Sequence, residues 1–352
     1  MELLYKPDFD RAKKYWEAFW NMEVIDRPVV CITTPKAGVK PKPRVPYMAG
    51  SDGQYENALK MFENWASTTY FGGEAFPFFE ATLGPDQFSA FLGAELIMAK
   101  ESYTSWVKPF ISHWSEVNLK LDKNSSEWQK MLEFIRIATQ YSEDKYLIST
   151  IDCHSNMDCL SAIRGPENLC MDLHDCPDEV ERVLKQVRDL YAPIYEELYE
   201  VGSMKDRGTT SWLPLYCEGK YSAIQCDFQC MIGPDDEKRF VIPCLEEEAS
   251  YLDHCALHYD GKEALRHLDD ILAIKDIDVI QWVSGAGQPG QVKWMDLLKK
   301  IQKAGKGLWL DWDIEEIKQH YKELRPEGLC FSTWASSEEE AEDLLKWFKK
   351  NT

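Results

Sequence analysis

From residue 145 onward the sequence alternates between short runs rich in β-branched and aromatic residues and longer amphipathic runs. This rhythm limits the fold more than any other feature. Strand candidates occupy residues 146–151, 210–215, 255–258, 279–283, 307–311 and 328–333. Helical patterns fall at 177–199, 234–252, 262–273, 292–304, 314–324 and 336–350. Strands that alternate with amphipathic helices form βαβ units and a parallel sheet. Pro177 and Pro234 sit where a first helical turn accepts proline. Ser336 with Glu339 predicts a capping box for the last helix, and Ala341, Leu344, Leu345 and Phe348 form its apolar stripe. Six strands here, with one or two upstream, suit a closed sheet better than an open one. The expected fold is therefore an α/β, (β/α)8 TIM barrel.

Upstream the pattern is less regular. Residues 9–21 and 51–65 read as helical, 28–33 as a short strand, 35–53 as a Lys-, Pro- and Gly-rich loop, and 76–93 as an aromatic loop lining. Residues 1–90 are expected to form a helical and loop extension over the barrel, and 91–352 the barrel proper, in a single domain. The 352 residues, 44% apolar, are enough to bury a large core. No apolar run is long enough to span a bilayer, and the N-terminal segment lacks the basic and apolar regions of a leader peptide. Eleven cysteines without scaffold spacing read as reduced thiols. These features point to a cytoplasmic protein. A net charge of −20 excludes nucleic acid as a partner, because no basic stripe can displace counterions from phosphates. It also disfavours polyanionic ligands unless the site gathers its own arginines.

The segment ending in His258, Tyr259, Asp260 and Gly261 carries the clearest chemistry. If a strand runs through it, period two places His258 and Asp260 on one side, and Gly261 permits a sharp turn into the next helix. The C-terminal end of a strand is where an α/β barrel keeps its catalytic groups. Neutral imidazole and carboxylate both bind zinc, and an oxygen donor leaves the metal a stronger Lewis acid than a thiolate does. A further ligand can come from Cys226, Glu218, Gln281 or Cys330. The competing roles are metal-free acid–base work, with Asp260 orienting His258, and simple packing under a loop. Asp152, with Cys153 and His154, follows another strand-like run; it is a catalytic candidate or a helix cap. Asp227, just before a helix start, reads as a cap or salt-bridge partner rather than a catalyst. Gln225, Trp212, Gln281, Trp282 and Arg164 make up the expected substrate-binding set, although an arginine beside a glycine at a helix end is often structural. The glycine-rich stretch 284–290 lacks the full phosphate-binding pattern and its lysine, so it reads as a mouth loop. Trp106, Trp114, Phe76, Phe78 and Phe79 add aromatic surface for a flat or apolar substrate, with ordinary packing as the alternative.

Several segments together are similar to one family. These are Ala81 to Asp86, Phe91 to Glu95 and the stretch at Trp106; Leu160 to Gly165 followed by Asp172 to Val180; Gln225 to Phe228 with Ile232 to Pro234; and the turn at His258. In order and spacing they resemble the uroporphyrinogen decarboxylase superfamily over most of the chain. That resemblance implies a (β/α)8 barrel with the site at the strand C-termini, and one of two chemistries. One branch decarboxylates uroporphyrinogen without a cofactor. The other moves methyl groups between a corrinoid and an acceptor, using zinc held by a His-x-Cys pair and a distant cysteine. This chain departs from both. Residues 27–35 hold one arginine, Arg27, in place of the arginine-rich carboxylate grip, and Asp260 replaces the first cysteine ligand. Cys330 is the candidate for the distant one. The resemblance implies a methyltransferase of the corrinoid-dependent branch acting on a small methylated substrate; a zinc ion there would take His258 and Asp260, with Cys330 and Cys226 as the candidate further ligands. The corrinoid (cobalamin) would be carried by a partner protein. A decarboxylase of a small carboxylated substrate and a non-catalytic ligand-binding barrel are the alternatives.

Overall fold

The computed structural model describes residues 3–99 and 104–352; Met1 and Glu2, the start of the segment read for a leader, lie outside them. Eleven strands follow in chain order: β1 (Val29–Pro35), β2 (Thr69–Gly73), β3 (Phe78–Phe79), β4 (Glu95–Ala99), β5 (Thr104–Lys108), β6 (Leu147–Ile148), β7 (Tyr221–Gln225), β8 (His254–Asp260), β9 (Val279–Val283), β10 (Gly307–Asp311) and β11 (Leu329–Trp334). Seven of them form one sheet in the order β2-β1-β11-β10-β9-β8-β7. All neighbours in it are parallel except β1 and β2. The strands β7 to β11 are almost wholly buried, as parallel strands covered by helices on their outer face must be. β3 and β6 pair in parallel in a separate short ladder, and β4 with β5 make an antiparallel pair. The result is a mixed α/β fold around a mostly parallel sheet. Among the described residues no helix is long and apolar enough to cross a membrane.

The first ninety residues do more than extend over the sheet: β1 and β2 belong to it. They are joined to the core by a buried ion pair. The Arg27 guanidinium donates to both oxygens of Glu74 at 2.5 and 2.7 Å, and Glu74 also accepts from the Val30 amide at 3.0 Å. Gly73 makes this possible. Its φ of +60° lets the chain turn, and a Cβ there would lie 2.0 Å from the Val30 carbonyl oxygen.

Residues 210–215, expected as a strand, are not one. Pro214 offers no amide donor, and the Ser211 hydroxyl accepts from the Leu213 amide instead. The segment keeps a bridge from Thr209 to Cys217 and a bond from the Thr150 amide to the Thr210 carbonyl at 2.7 Å. The next strand in the chain is β7, which pairs with β8 at the edge of the main sheet. Helices Ser126–Ser142, Asn156–Arg164 and Pro166–Asp175 also fall outside the expected rhythm. The 234–252 helix is interrupted by a π-helical turn at Glu237–Val241, directly before Pro243, which has no amide to give. Residues 262–267 wind as 3-10 helix before Leu268–Ala273 becomes α-helical. The last helix begins one residue later than the capping pattern implied. Ser337 is the cap, accepting from the Glu340 amide at 3.1 Å, and the Glu340 carboxylate reaches back to the Ser336 amide at 2.6 Å. Its apolar stripe is buried as expected.

Candidate metal centre and the cavity beside it

Strand parity sorts the candidate residues. On β8, His254, Ala256, His258 and Asp260 share one face, and Cys255, Leu257 and Tyr259 the other. Parallel register then sets Gln225 of β7 and Gln281 of β9 on either side of His258. The Gln281 Oε1 lies 2.7 Å from His258 Nδ1. With an amide oxygen as acceptor, Nδ1 carries the proton and Nε2 keeps a lone pair. The Trp212 ring meets the imidazole edge to face at 5.1 Å.

A third residue joins the pair. Ligand atoms of Asp227, His258 and Asp260 all lie within 4.8 Å of one another, the only such group of three metal-binding side chains among the described residues. Asp227 opens the short 3-10 turn Asp227–Met231 after β7. It is not itself the cap: Asp158 is, accepting from the amides of Asp227 at 2.9 Å and Phe228 at 2.8 Å. Asp260 Oδ1 is buried and finds no hydrogen-bond partner among the described residues.

Asp152 lies next to this group. It accepts from Gln225 Nε2 at 3.2 Å and sits 3.3 Å from His154 Nε2. Burial works against a charge on His154, but Asp152, and more distantly Asp158 and Asp227, outweigh it and raise its pKa to about 10. That surrounding favours the charged form of His154. Behind it, Asn156 holds an unusual φ of +52° and donates to Glu248, which also accepts from Ser155 at 2.6 Å.

Burial raises the Glu248 pKa to about 8, against the pull of those two donors. A carboxyl whose folded pKa exceeds its ordinary 4.5 is neutral in both states below that pH. Between about 4.5 and 8 the unfolded state ionises first, so stability falls as pH rises, by at most about 1.4 kcal/mol per pH unit. Glu248→Gln is expected to remove this slope. In urea titrations at pH 5 and pH 8, the variant should gain on the native protein at the higher pH. Equal pH dependence of the two would show that Glu248 ionises normally.

The other expected residues lie elsewhere. Tyr259 and Trp282 face away from the site, fully buried; the Tyr259 hydroxyl donates to the Ala264 carbonyl and the two rings pack at 5.9 Å. Both belong to the core and not to catalysis or substrate binding. Arg164 is spent on Asp172, through Nε at 2.6 Å, and on the Ile111 carbonyl at 2.9 Å, so it is no carboxylate clamp. Cys226 is fully buried, its thiol pKa pushed well up by burial. Cys330 is likewise buried, with its thiol against that of Cys31. Neither joins the Asp227–His258–Asp260 group. Glu218 lines a cleft with Trp20, Asp253 and His254, at the N-terminal end of β8. Trp114 donates to Asp172, Phe79 is core, and Trp106 is exposed on β5.

A cavity of about 440 Å³ opens beside His258, sharing Gln281 and Trp212 with it. Its walls come from inward positions of β1, β9 and β10, from the ends of β11, and from Phe71, Phe76 and Phe78. Arg44, Trp309, Asp311 and Thr333 line it as well, and none of these was singled out in the sequence. Alternation on β10 was the available signal, since Trp309 and Asp311 share a face at the strand's end. Glu80, just past β3, was also missed. Burial and Asp152 raise its pKa to about 8, with Arg44 opposing.

No family model matches the chain, and no curated protein matches it significantly in sequence. Among solved structures, a methyltransferase from Methanosarcina mazei is similar, with a TM-score of 0.63 and 12% identity over 97% of this chain and 98% of that one. At that identity the likeness is one of fold: end to end, this chain is folded like that methyltransferase.

Proposed function

We propose that this protein is a metal-dependent methyltransferase acting on a small methylated substrate, a divergent relative of the corrinoid-dependent branch of the uroporphyrinogen decarboxylase superfamily. The same reading has β3 and β6 complete the main sheet into a closed barrel, and a separate protein present the corrinoid. The observation that carries it is the meeting of Asp227, His258 and Asp260 at the C-terminal ends of β7 and β8. These donors fit a divalent cation such as zinc. Two carboxylates balance its charge, His258 has Nε2 free, and Asp260 Oδ1 is otherwise a buried acceptor without a donor. A cation held there supplies a Lewis acid for a substrate oxygen. The chain's own residues do the rest. Gln281 fixes the tautomer and plane of His258, Trp212 packs against the ring, and the aromatic cavity walls displace water from the substrate. His154 and Asp152 keep a proton within reach of the site. Uroporphyrinogen itself is a poor match, because the cavity lining holds one arginine for eight carboxylates, and Arg27 and Arg164 are committed to Glu74 and Asp172.

The test is zinc uptake by isothermal titration, followed by methyl transfer. One zinc per chain is expected. Asp227→Asn should abolish tight binding, and Gln281→Leu should weaken it about 10- to 100-fold. Zinc-loaded protein should then consume methylcobalamin, read by its visible absorbance, with at least one of a panel of small oxygen, nitrogen and sulfur nucleophiles. Absence of stoichiometric zinc would return the three residues to an ordinary acidic surface group. Zinc uptake without any zinc-dependent loss of methylcobalamin would overturn the methyltransferase reading.

A further inference from the structure

The wall of the cavity beside His258 contains donors that no described residue satisfies. The indole N–H groups of Trp212 and Trp309 and the hydroxyl of Thr333 are buried without a hydrogen-bond partner among the described residues. Trp309 and Thr333 are more than nine-tenths buried, at 8% and 7% exposure, and all three residues line the cavity. Native proteins rarely leave such groups unpaired. An indole N–H can only donate, so what it lacks is an acceptor; a cation would leave it unsatisfied.

Arg44 adds the charge. Among the described residues it is the one cationic side chain in the cavity lining. Its guanidinium lies over Trp65, 5.6 Å from the ring centroid, and it makes no hydrogen bond to any described residue. Two acids bear on it: Glu80, whose pKa burial and Asp152 raise to about 8, and Asp311 of the same lining, whose carboxyl burial also pushes up, so both resist carrying the charge that would cancel the arginine. A single positive charge in a protein of net charge −20 suits a monoanion. A phosphate dianion would need a second cation that the lining does not offer.

We propose that this cavity binds a substrate bearing one carboxylate, held by Arg44, with the unpaired donors of Trp212, Trp309 and Thr333 in the surrounding wall and its apolar body against the aromatic walls. The assignment rests on the methyltransferase reading, to which it adds a substrate class. Because Trp212 and Gln281 border both the cavity and His258, the end of the ligand away from the carboxylate faces the metal group. A volume of about 440 Å³ is that of a small organic acid's site.

Three probes of nearly equal size separate the possibilities: benzoate, benzyl alcohol and benzylammonium, titrated calorimetrically into the full chain after chelation, at pH 7. Benzoate should bind at least about ten times more tightly than benzyl alcohol, the usual difference made by one charge-assisted hydrogen-bonded pair. Arg44→Gln should remove that preference and leave benzyl alcohol binding unchanged. Thr333→Val, which keeps the shape and deletes one donor, should weaken benzoate several-fold more than benzyl alcohol, and Trp309→Phe, which deletes a donor together with part of the ring, should weaken both. Equal binding of the three probes, a preference for benzylammonium, or undiminished benzoate binding by Arg44→Gln would overturn the proposal. So would benzoate binding that appears only when zinc is added, since the metal would then be the carboxylate's holder. The zinc titration decides the methyltransferase reading separately: a chain that prefers benzoate but takes up no zinc keeps the carboxylate site and loses the metal.

Discussion

Replacing Glu74 with alanine is expected to cost about 3–5 kcal/mol, enough to threaten folding at ordinary temperature. The Glu74 side chain is fully buried, and it is the partner of a guanidinium that is almost as deep. Arg27 has one other acceptor, the Pro28 carbonyl at 2.9 Å. Truncating Glu74 would leave a charge in the core with only the more weakly acting Asp26 to oppose it, and the Val30 amide with no side-chain acceptor. The penalty comes from what is left behind more than from the strength of the pair. The double variant Arg27→Met with Glu74→Leu should therefore recover much of the loss, because it removes both charges at once. Urea midpoints of the two single variants and the double variant measure this. A Glu74→Ala protein within about 1 kcal/mol of the native one would mean that water reaches the pair. Arg27 is also the one arginine where the decarboxylases gather several, and its use as a buried strut is why it cannot serve a substrate.

Much of the sheet was legible because parallel strands buried on both faces appear as unbroken apolar runs. β8, β9, β10 and β11 are of this kind. β7 was not legible: Tyr221–Gln225 carries Ser222 and Gln225, while the neighbouring 210–215 run is more apolar and drew the strand to itself. β2 carries two glycines and pairs antiparallel, so it fits neither the composition nor the rhythm of the rest. The helix Ser126–Ser142 has a clear apolar face in Trp128, Met131, Leu132 and Ile135, but it lies before the regular alternation begins.

The site shows a similar division. Period two alone separates His258 and Asp260 from Tyr259, and Gln281 from Trp282, so placing Tyr259 and Trp282 among the functional residues ignored a signal already present. Asp227 is different. Gln225 pairs with His258, so a residue two places on falls level with Asp260. That relation exists only once β7 is known to neighbour β8. No local pattern distinguishes an aspartate that caps a turn from one that the turn presents, and here Asp158 does the capping from 69 residues away. Cys330, the candidate for the distant cysteine, is the second residue of β11, so it lies near that strand's N-terminal end and away from the C-terminal ends where Asp227, His258 and Asp260 meet.

The sharpest contrast is between His258 and its core neighbour. If the proposed metal site holds, His258→Ala is expected to lower zinc affinity by more than about 100-fold, since it would delete a ligand where loss of a ligand's supporting partner already costs about 10- to 100-fold. Its effect on stability should be small, within about 1 kcal/mol. The imidazole is only partly buried, and its partner Gln281, though buried, lines the open cavity, from which water can replace the lost hydrogen bond. Trp282 stands one strand away, on β9, with its side chain on the other face. It is fully buried and packs on Tyr259 and on Trp294 at 5.3 Å. Trp282→Ala should cost about 3–5 kcal/mol through the cavity it opens, while the surviving folded fraction still takes up zinc. Thermal melting and zinc content measured on both variants give a two-by-two outcome. A His258→Ala protein that melts much lower but keeps its zinc would place His258 with Trp282 in the core. Zinc lost from both variants in proportion to their unfolding would mean that the metal group has no specific ligand at position 258.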